Sequence, residues 1–388
     1  MDIKKAKNYS ENKNNETFKQ FIDCCKQKYV VSAALMPDAH LGYAAPIGAV
    51  IKTKEFVVPA WVGFDMGCGV LAMQLKGTNL IEKIKKNSKK IHQSVSKLIP
   101  LGKGQKNSKE MLTKDGETKF DKIFSELDKK DINSQIINLI KTMGKTQLGT
   151  LGGGNHFIEI DSYKNEVWLI IHSGSRALGH KIASHYMKLA SKGKSDNIEQ
   201  SFPLSIKTKE GSEYMKVQDF CLKFALLNRE EMANRVVLSI EKILKTKIKK
   251  SLWVNNNHNH VILEKGLLVH RKGATPAHKG ERGVIPANMK DGSILVVGKG
   301  NSKFLNSSSH GAGRKMSRSK AKESFSLEDL ESSMQGITSN ISESIIDEIP
   351  MAYKDIDFVM NAQKSSISIK KHLHPLINWK GSETSYLD

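Results

Sequence analysis

The segment GFDMGCGV at residues 63–70 places a carboxylate and a thiol three positions apart, at Asp65 and Cys68. Its three glycines let the backbone turn sharply, so that both side chains can be aimed at one point. A single cysteine is more often a small buried hydrophobic side chain than a ligand. The neighbouring aspartate favours a metal site, because carboxylates are rarely buried unless they are paired or bound to a cation.

Three histidines lie where predicted strands begin or end: His156 after GGGN, His172 at the end of VWLIIH, and His258 in VNNNHNHV. Taken singly, each is more often a satisfied core or surface histidine than a metal ligand. Neighbouring strand ends at one sheet edge can nevertheless assemble a shared site. One carboxylate, one thiolate and three imidazoles could hold two divalent ions, with the thiolate bridging them. The sequence alone leaves open whether the five residues converge.

His310 lies in SSSHGAGRKMSRSK, where small residues on both sides leave room for a bulky adduct. The cations that follow, among them Arg314 and Arg318, would place the imidazole in a field that attracts phosphates. Two interpretations are equally supported. The histidine is either a nucleophile that faces a phosphorylated substrate or a side chain in a solvated basic loop.

Established nucleotide-binding motifs are absent, since the chain contains no GxxxxGK[ST] sequence and neither GKG segment extends to GxGxxG. The glycine cluster at 149–154 could cradle a phosphate. On its own, it is more typical of a tight turn that enters a strand.

The predicted elements mix helices and strands without regular βαβ alternation, which favours one α+β domain with mixed sheets, surrounding helices and a site at strand ends. This domain spans 1–388, with 1–27 as an end that can fray and 382–388 as a short tail. Strands are predicted across 28–75 and in HFIEI, VWLIIH, LLVHRKG and SILVVGKG. Helices are predicted within 78–145, at 219–244 as the longest, and at 327–349 and 355–373 near the end.

The composition indicates a polyanionic partner: 61 basic and 40 acidic residues give a formal net charge of +21. A lysine-rich composition that only maintains solubility would give the same total. The four cysteines form no CxxC pair, and no apolar stretch of about 18 residues that could span a membrane is present. Together with a polar start that lacks a signal-peptide core, these features predict a cytoplasmic protein with no membrane partner.

Taken together, the segments resemble the RtcB family of RNA ligases. The resemblance runs from about residue 31 to 381 in MPDAHLGYAAPIGAVI, VPAWVGFDMGCGV, GTLGGGNHFIE, IIHSGSRALGH, NNNHNHV, HRKGATPA, SSSHGAGRKMSRSKAK, DEIPMAYKDIDFVMNAQ and WKG. A single one of these motifs would be weak evidence, but all of them occur in the order that the family shows. One departure is Pro286-Ala287-Asn288-Met289-Lys290, which stands where the family usually has PGSMG.

The resemblance implies two manganese ions in one active site, with Asp65, Cys68 and His156 on one ion and Cys68, His172 and His258 on the other. It implies that His310 carries the guanylate that GTP supplies. The residues implied to contact the nucleotide are Asn155, His156, Phe157, Ile158, Glu159, His258, Asn259, Pro286, Ala287, Asn288, Met289, Ser293, His310, Gly311, Ala312, Gly313 and Lys380.

The implied reaction joins an RNA end that carries a 3′-phosphate or 2′,3′-cyclic phosphate to an RNA end with a 5′-hydroxyl, through an RNA 3′-phosphate capped with GMP. Two alternatives belong to other classes. A metal-dependent cyclic phosphodiesterase would keep the metal ligands without a working His310. A non-catalytic basic RNA-binding protein would lack the ligands.

Overall fold

Apolar and β-branched runs form most of the strands, and charged segments with apolar residues at helical spacing form the helices. The computed structural model describes residues 6–11, 15–108 and 111–381. The predicted tail at 382–388 and parts of the end predicted to fray, 1–5 and 12–14, lie outside the described residues. Helices and strands are mixed in one large domain, as the predicted α+β class requires.

In chain order, the strands are β1 (Ala6–Asn8), β2 (Val30–His40), β3 (Ile47–Thr53), β4 (Phe56–Val57), β5 (Gly69–Lys76), β6 (Phe157–Tyr163), β7 (Glu166–Ser173), β8 (Leu204–Ser205), β9 (Lys249–Asn257), β10 (Asn259–Glu264), β11 (Leu267–Lys272), β12 (Ala274–Pro276), β13 (Arg282–Pro286), β14 (Ser293–Gly298), β15 (Ser307–Ser309), β16 (Thr338–Ser339) and β17 (Ile367–Lys380).

The helices are α1 (Glu16–Cys25), α2 (Pro59–Val62), α3 (Leu80–Leu98), α4 (Lys114–Asp128), α5 (Ser134–Gln147), α6 (Arg176–Ser191), α7 (Lys209–Leu244), α8 (Arg318–Ser324), α9 (Leu327–Ser333) and α10 (Ile356–Ala362). Three short 3₁₀ helices lie at Ser302–Phe304, Glu343–Glu348 and Pro350–Ala352. Among the described residues, no helix is both long enough and apolar enough to cross a membrane.

The largest sheet runs in the order β13-β14-β17-β6-β7-β5-β9, with β16 paired to β17 outside this path. Strand β17 joins its two halves, because its first part pairs with β14 and its second part with β6. A five-stranded sheet in the order β1-β2-β3-β11-β10 forms the second layer of strands. The hairpin β10–β11 follows directly after β9, so the two sheets meet near His258.

The 36-residue helix α7 supports the centre of the molecule. One side packs with α3 and the buried faces of β5, β6 and β7 around Met232, Val236 and Ile240. Another side packs with α4, α5 and α6 around Phe220 and Phe224. Because α7 is buried on several sides, it holds the sheet edge that carries the predicted ligands in a fixed place.

The two helices predicted near the end of the chain are wrong in most of their length. Of the predicted helix at 327–349, only α9 is an α-helix; Gly336, at φ +84°, follows it and precedes β16 and a 3₁₀ helix. Of the helix predicted at 355–373, only α10 forms, and the rest enters β17. Leu373 of β17 is buried in one hydrophobic cluster and Ile377 and Trp379 in another, and β17 pairs with β14 along its first part and with β6 along its second.

The start of the chain forms more structure than the prediction of a frayed end allowed. Helix α1 begins at an Asn15 cap that accepts from the Phe18 amide at 3.0 Å. Phe21 and Cys24 are both 1% exposed and pack with Trp61 against the five-stranded sheet. A second departure is α2, a single helical turn with Pro59 in its first turn, inside a segment predicted as strand.

Candidate metal and nucleotide site

A tight turn before β5 presents Asp65 and Cys68 together. The Cys68 amide donates to the Asp65 carbonyl at 3.1 Å, and Gly67 between them has φ +77°. A side chain at Gly67 would also come within 2.9 Å of the Ala225 Cβ on α7. The turn therefore requires glycine at this position, as the motif predicted.

Four predicted ligands come from four adjacent strands. His156 precedes β6, His172 lies near the end of β7, Cys68 precedes β5, and His258 follows β9. These strands are neighbours in the order β6-β7-β5-β9. Because antiparallel neighbours pair end to start, all four residues reach the same edge of the sheet.

The ligand atoms of these residues meet at contact distance. Cys68 Sγ lies 3.3 Å from His156 Nε2 and 3.2 Å from His172 Nε2. His172 Nε2 lies 3.3 Å from His258 Nε2. The donor atoms of Cys68, His156 and His172 all lie within 4.8 Å of one another, so these three residues could hold a metal ion.

The outer ring nitrogens fix which atom of each imidazole points inwards. His172 Nδ1 lies 3.0 Å from the Asn155 carbonyl oxygen, and His156 Nδ1 lies 3.1 Å from that of Leu151. A proton on His172 Nδ1 leaves its Nε2 as a lone pair that faces the cluster, whereas His156 Nδ1 also lies 3.1 Å from Arg176 Nη1 and its Nε2 faces Asp65. This arrangement is typical of metal-binding histidines, whose second nitrogen donates to a carbonyl or carboxylate.

Burial keeps the cluster neutral in the protein alone. It raises the pKa of the Cys68 thiol well above its ordinary value, and the charge of Asp65 adds to this effect. Burial also lowers the pKa values of His172 and His258 well below the usual range. Neutral imidazoles are the form that binds metals, and a divalent cation would supply the charge that stabilises a thiolate.

Asp65 is the one charged member at this edge. Its Oδ2 lies 3.0 Å from His156 Nε2, and its Oδ1 accepts from the Ser175 amide at 3.0 Å. Although burial opposes ionisation, the interaction with His156 and the charge of Arg176 lower the pKa of Asp65. The Asp65 side chain is 30% exposed, so a substrate can approach the cluster from this end.

Arg229 of α7 holds the turn that carries Asp65 and Cys68, and the sequence motifs did not single it out. Its guanidinium donates to the carbonyls of Gly67 and Ser173 and to the side chains of Asn255 and Asn257. It is fully buried, and burial lowers its pKa to about 10. One helix side chain thus ties together the ends of β5, β7 and β9.

His310 lies at the other end of the cluster, where its ring centroid is 4.8 Å from that of His258. Its Nδ1 lies 2.7 Å from Asp38 Oδ2, which also accepts from the His310 amide at 3.1 Å. Asp38 is fully buried, and despite that burial its interaction with His310 lowers the pKa of its carboxyl group. The carboxylate therefore holds the proton on Nδ1 and leaves a lone pair on His310 Nε2.

The backbone packs closely around His310. A side chain at Gly273, which has φ +60°, would come within 3.1 Å of His310 Cε1. The predicted loop 310–313 meets the predicted loop 286–289, since the Ala312 amide donates to the Pro286 carbonyl at 3.0 Å. Asn288, which departs from the family pattern, closes this turn by accepting from the Asp291 amide at 2.9 Å.

Unpartnered polar atoms lie on the neighbouring strands. Glu159 Oε1 accepts from Asn378 Nδ2 at 2.7 Å, while Glu159 Oε2, Asn378 Oδ1 and Ser293 Oγ have no hydrogen-bond partner among the described residues. Burial raises the pKa of Glu159 to about 8. Buried polar groups without partners are rare and indicate a place where a polar ligand can bind.

The remaining predicted nucleotide residues differ in accessibility. Asn155 is exposed, and Asn259 Oδ1 accepts from the Gly273 amide at 2.7 Å. The side chains of Ile158 and Met289 lie in hydrophobic clusters, so only their backbones could reach a ligand. Phe157 lies below Lys380, whose Nζ is 5.6 Å from its ring centroid.

Lys380 and the arginines that follow His310 bind carboxylates of the protein itself. Lys380 Nζ donates to Glu348 Oε2 at 2.6 Å, and Arg318 contacts Glu348 Oε1 at 2.7 Å. Despite burial, the charge of Lys380 lowers the pKa of Glu348 to about 2. Arg314 donates to the Asp347 carbonyl at 2.7 Å. Glu348 was not singled out from the sequence, where nothing marks it as the centre of this group.

The sequence of this chain is similar to known proteins over most of its length. The sequence model of the family described as tRNA-splicing ligase RtcB matches residues 20–381. The chain belongs to the RtcB family. It is 35% identical to the RNA-splicing ligase RtcB of Escherichia coli K12, with 93% of each chain covered. It is also 33% identical to the tRNA-splicing ligase RtcB of Nanoarchaeum equitans, with 86% of this chain and 84% of the relative covered.

Membership of the RtcB family confirms the resemblance predicted from the motifs. It also accounts for their spread over the chain, because residues 20–381 contain every segment on which the resemblance rested. In this RtcB-family chain, the structure gathers the five predicted metal ligands and His310 into one place.

Proposed function

We propose that this chain is an RNA ligase that uses GTP and two manganese ions to join a 3′-phosphate or 2′,3′-cyclic phosphate end of RNA to a 5′-hydroxyl end. The observation that carries the proposal is His310, oriented by Asp38 at 2.7 Å and placed beside the converging ligand atoms. Family membership supports the substrate class, since relatives in the RtcB family are named as RNA-splicing and tRNA-splicing ligases.

The donor set fits divalent cations. Asp65, Cys68 and His156 would hold one ion, and Cys68, His172 and His258 would hold the second. Bound there, the ions would screen phosphate charge and lower the pKa of an attacking hydroxyl or water. The mixed ligand set would also suit zinc, so manganese rests on the resemblance to the family.

His310 would perform the first step. Its Nε2 lone pair attacks the α-phosphorus of GTP, an N–P bond forms, and pyrophosphate leaves with the electrons of the broken P–O bond. Asp38 keeps the other nitrogen protonated and stabilises the positive charge that develops on the ring, as a carboxylate does in a catalytic triad. The nucleophile is thus aimed before the substrate binds.

The strands beside His310 would bind the guanine nucleotide. Guanine presents N–H donors on its Watson–Crick edge, and Glu159 Oε2 is a buried acceptor without a partner. Ser293 Oγ and Asn378 Oδ1 offer further unpartnered atoms on β14 and β17. Lys380 is close enough to Phe157 to join the pocket, although it would share its charge between Glu348 and the nucleotide.

Two transfers complete the reaction. An oxygen of the RNA 3′-phosphate attacks the phosphorus on His310, and the N–P electrons return to the imidazole. The 5′-hydroxyl then attacks the activated 3′-phosphate, a phosphodiester forms, and GMP leaves. A 2′,3′-cyclic phosphate must first be opened by water, which the same site could position.

The test is incubation of the protein with manganese and GTP labelled on its α-phosphate. We expect a protein–GMP adduct that is stable in base, labile in acid and mapped by mass spectrometry to His310. A protein that opens cyclic phosphates but forms no adduct would be the phosphodiesterase instead. A protein that binds RNA and does neither would be the non-catalytic alternative.

A further inference from the structure

Three aromatic rings form a continuous row beside the Asp65 end of the site. The Tyr43 ring meets Phe64 edge-on, with 5.8 Å between their centroids. Phe64 is stacked on His180 of α6 at 4.5 Å and an interplanar angle of 12°. We call Tyr43, Phe64 and His180 the stacking platform. Its middle ring immediately precedes Asp65 in the chain, so the platform borders the proposed metal site.

The platform is unusually open to solvent for a set of large aromatic groups. Tyr43 is 65% exposed, His180 is exposed, and the neighbouring Leu41 is 57% exposed. Phe64 is only partly buried and packs against the core from below. Exposed rings next to a reaction site are typical surfaces for unstacked bases of single-stranded nucleic acid.

Helix α1 holds the loop that carries Tyr43 in place. Gln20 Nε2 donates to the Gly42 carbonyl at 2.8 Å and to the Tyr43 carbonyl, and the Gly42 amide donates back to Gln20 Oε1 at 3.2 Å. Cys24 Sγ lies 3.4 Å from the Ala44 carbonyl. Anchoring of this kind lowers the entropy cost of binding, because the ring is positioned before a ligand arrives.

Charges of both signs lie near the rings. Lys272 Nζ lies 6.0 Å from the Tyr43 ring centroid, in the range of a cation–π contact, but Lys272 is buried and its Nζ donates to the Ala60 carbonyl at 3.3 Å. Partial burial lowers the pKa of His180, which the charges of Asp65 and Glu199 raise and that of Lys103 lowers. A phosphate that flanks a stacked base would therefore meet the exposed Lys103 near the platform.

The position of the platform indicates which of the two RNA strands it would bind. Asp65 contacts His156 at one end of the ligand cluster, and His310 contacts His258 at the other. GMP would leave towards His310, so the 3′-phosphate strand and its nucleotide occupy that end. In phosphoryl transfer the attacking and leaving oxygens lie roughly in line, so the 5′-hydroxyl must approach from the Asp65 end.

We infer that the stacking platform binds the terminal base of the RNA strand that supplies the 5′-hydroxyl. This inference rests on the proposed ligase function and adds a subsite to it. Stacking accepts every base, so the platform would position the end of the strand without selecting its sequence. The attacking hydroxyl would then be held beside Asp65, where its deprotonation and alignment are needed.

The test separates the sealing step from guanylation by supplying RNA whose 3′-phosphate already carries GMP. We expect Tyr43→Ala to raise the KM of the 5′-hydroxyl strand by about 5- to 150-fold, the change that corresponds to loss of one base–aromatic stack. The KM of the activated 3′ strand and the yield of protein–GMP adduct should match the wild type. Tyr43→Trp should restore a low KM, and Phe358→Ala, an exposed ring on α10, should have no effect.

A second arm uses a 5′-hydroxyl strand whose first nucleotide is abasic. The wild type should lose affinity for this strand, and Tyr43→Ala should lose little more, because both changes remove the same contact. An unchanged KM in Tyr43→Ala, a KM change on the 3′ strand instead, or equal use of normal and abasic strands would overturn the inference.

A wild-type protein that forms no GMP adduct and seals no activated RNA would refute the proposed function rather than the platform. Binding of a 5′-hydroxyl oligoribonucleotide, followed by fluorescence anisotropy, then decides the platform separately. Weaker binding by Tyr43→Ala for the normal strand only would support it, and equal binding would refute it.

Discussion

The ligand cluster around Cys68 and the charge cluster around Glu348 are both buried beside the central sheet, and they differ in how their polar atoms are satisfied. Around Glu348, Lys380 and Arg318 each meet a carboxylate oxygen of the protein. Around Cys68, imidazole nitrogens and a thiol face one another at 3.2–3.3 Å, and one carboxylate, Asp65, reaches them at 3.0 Å from His156 Nε2. Ligand atoms that converge in this way could hold a metal ion, whereas the charges around Glu348 are already paired within the protein.

The basic segment after His310 illustrates the difference. From the sequence, its arginines were expected to attract phosphates, and the structure shows them bound to carboxylates and a carbonyl of residues 347–348. A run of cations next to a reactive histidine is therefore not by itself a phosphate-binding site. The histidines of the ligand cluster carry more functional information than the arginines that pair with carboxylates.

The Cys68→Ala substitution tests the difference between the ligand cluster and the charge cluster most strongly. We expect loss of bound manganese and of RNA sealing, because Cys68 would supply a ligand to both ions. Cys221→Ala is the matched control, since this buried cysteine lies in the hydrophobic core next to Phe220 and Phe224. It should cost about 1 kcal/mol of stability and leave the metal content unchanged. Elemental analysis and a sealing assay measure both outcomes, and full metal content in Cys68→Ala would contradict the account.

Asp38→Ala should slow guanylation of His310 by roughly 10²- to 10⁴-fold, the range seen when the orienting acid of a catalytic histidine is removed. Sealing of RNA that already carries GMP should change little, because that step does not need the His310 nucleophile. Asp38→Asn should not restore the rate, because an amide that donates to Nδ1 moves the proton to Nε2 and removes the nucleophilic lone pair. Equal losses in both steps would show that Asp38 acts through folding instead.

Glu348→Gln should destabilise the folded protein by about 3–5 kcal/mol, because a buried cation would lose its partner. His258→Ala, measured without metal, should cost much less, since its ring faces other neutral donors. Chemical denaturation in the presence of a chelator compares the two variants. A larger loss of stability in His258→Ala than in Glu348→Gln would contradict the difference between the two clusters.

The ion pair between Glu348 and Lys380 predicts a dependence of stability on pH. The folded-state pKa of Glu348 is lowered from 4.5 to about 2. Its contribution to stability is therefore fully present above about pH 4.5 and is lost as the pH falls towards 2. Wild type should lose more stability than Glu348→Gln across this interval, and parallel curves would contradict the assignment.

Exposed lysines near the site should give the smallest effects. Lys103→Ala should reduce the magnitude of the log–log salt slope for RNA binding by about 0.7, the value for one phosphate contact on a single strand. Lys207→Ala, whose ammonium pairs with Glu55 on the surface, is the control and should leave the slope unchanged. No difference between the two would mean that the loop 101–108 does not touch RNA.

Local chemistry explains which parts of this arrangement could be predicted. Asp65, Cys68 and the three histidines stand beside glycines and strand ends, and these local features can be recognised in a single sequence. Asp38 and Arg229 act through contacts across 272 and up to 162 positions of the chain, and neither role follows from the neighbouring residues, although Asp38 lies in one of the family-like segments. Glu348 also lies in such a segment, DEIPMAYKDIDFVMNAQ, but only the fold brings Lys380 to it.

The error at β17 has a similar cause. The segment ISIKKHL shows apolar residues at spacings that a helix could also use, and its first half is only partly buried. Pairing with β14, a strand distant in the chain, satisfies the backbone of this segment, which local propensity cannot anticipate. In contrast, α7 was predicted because its apolar periodicity continues over many turns.

The central claim is that His310 carries GMP and that the ligand cluster serves the later sealing step. The decisive measurement compares His310→Ala on two RNA substrates, one with a plain 3′-phosphate and one whose 3′-phosphate already bears GMP. We expect no protein–GMP adduct and no joining of the first substrate, together with sealing of the second at a rate close to that of the wild type. A labelled adduct that persists in His310→Ala, or failure on both substrates by a folded and metal-loaded variant, would contradict the claim.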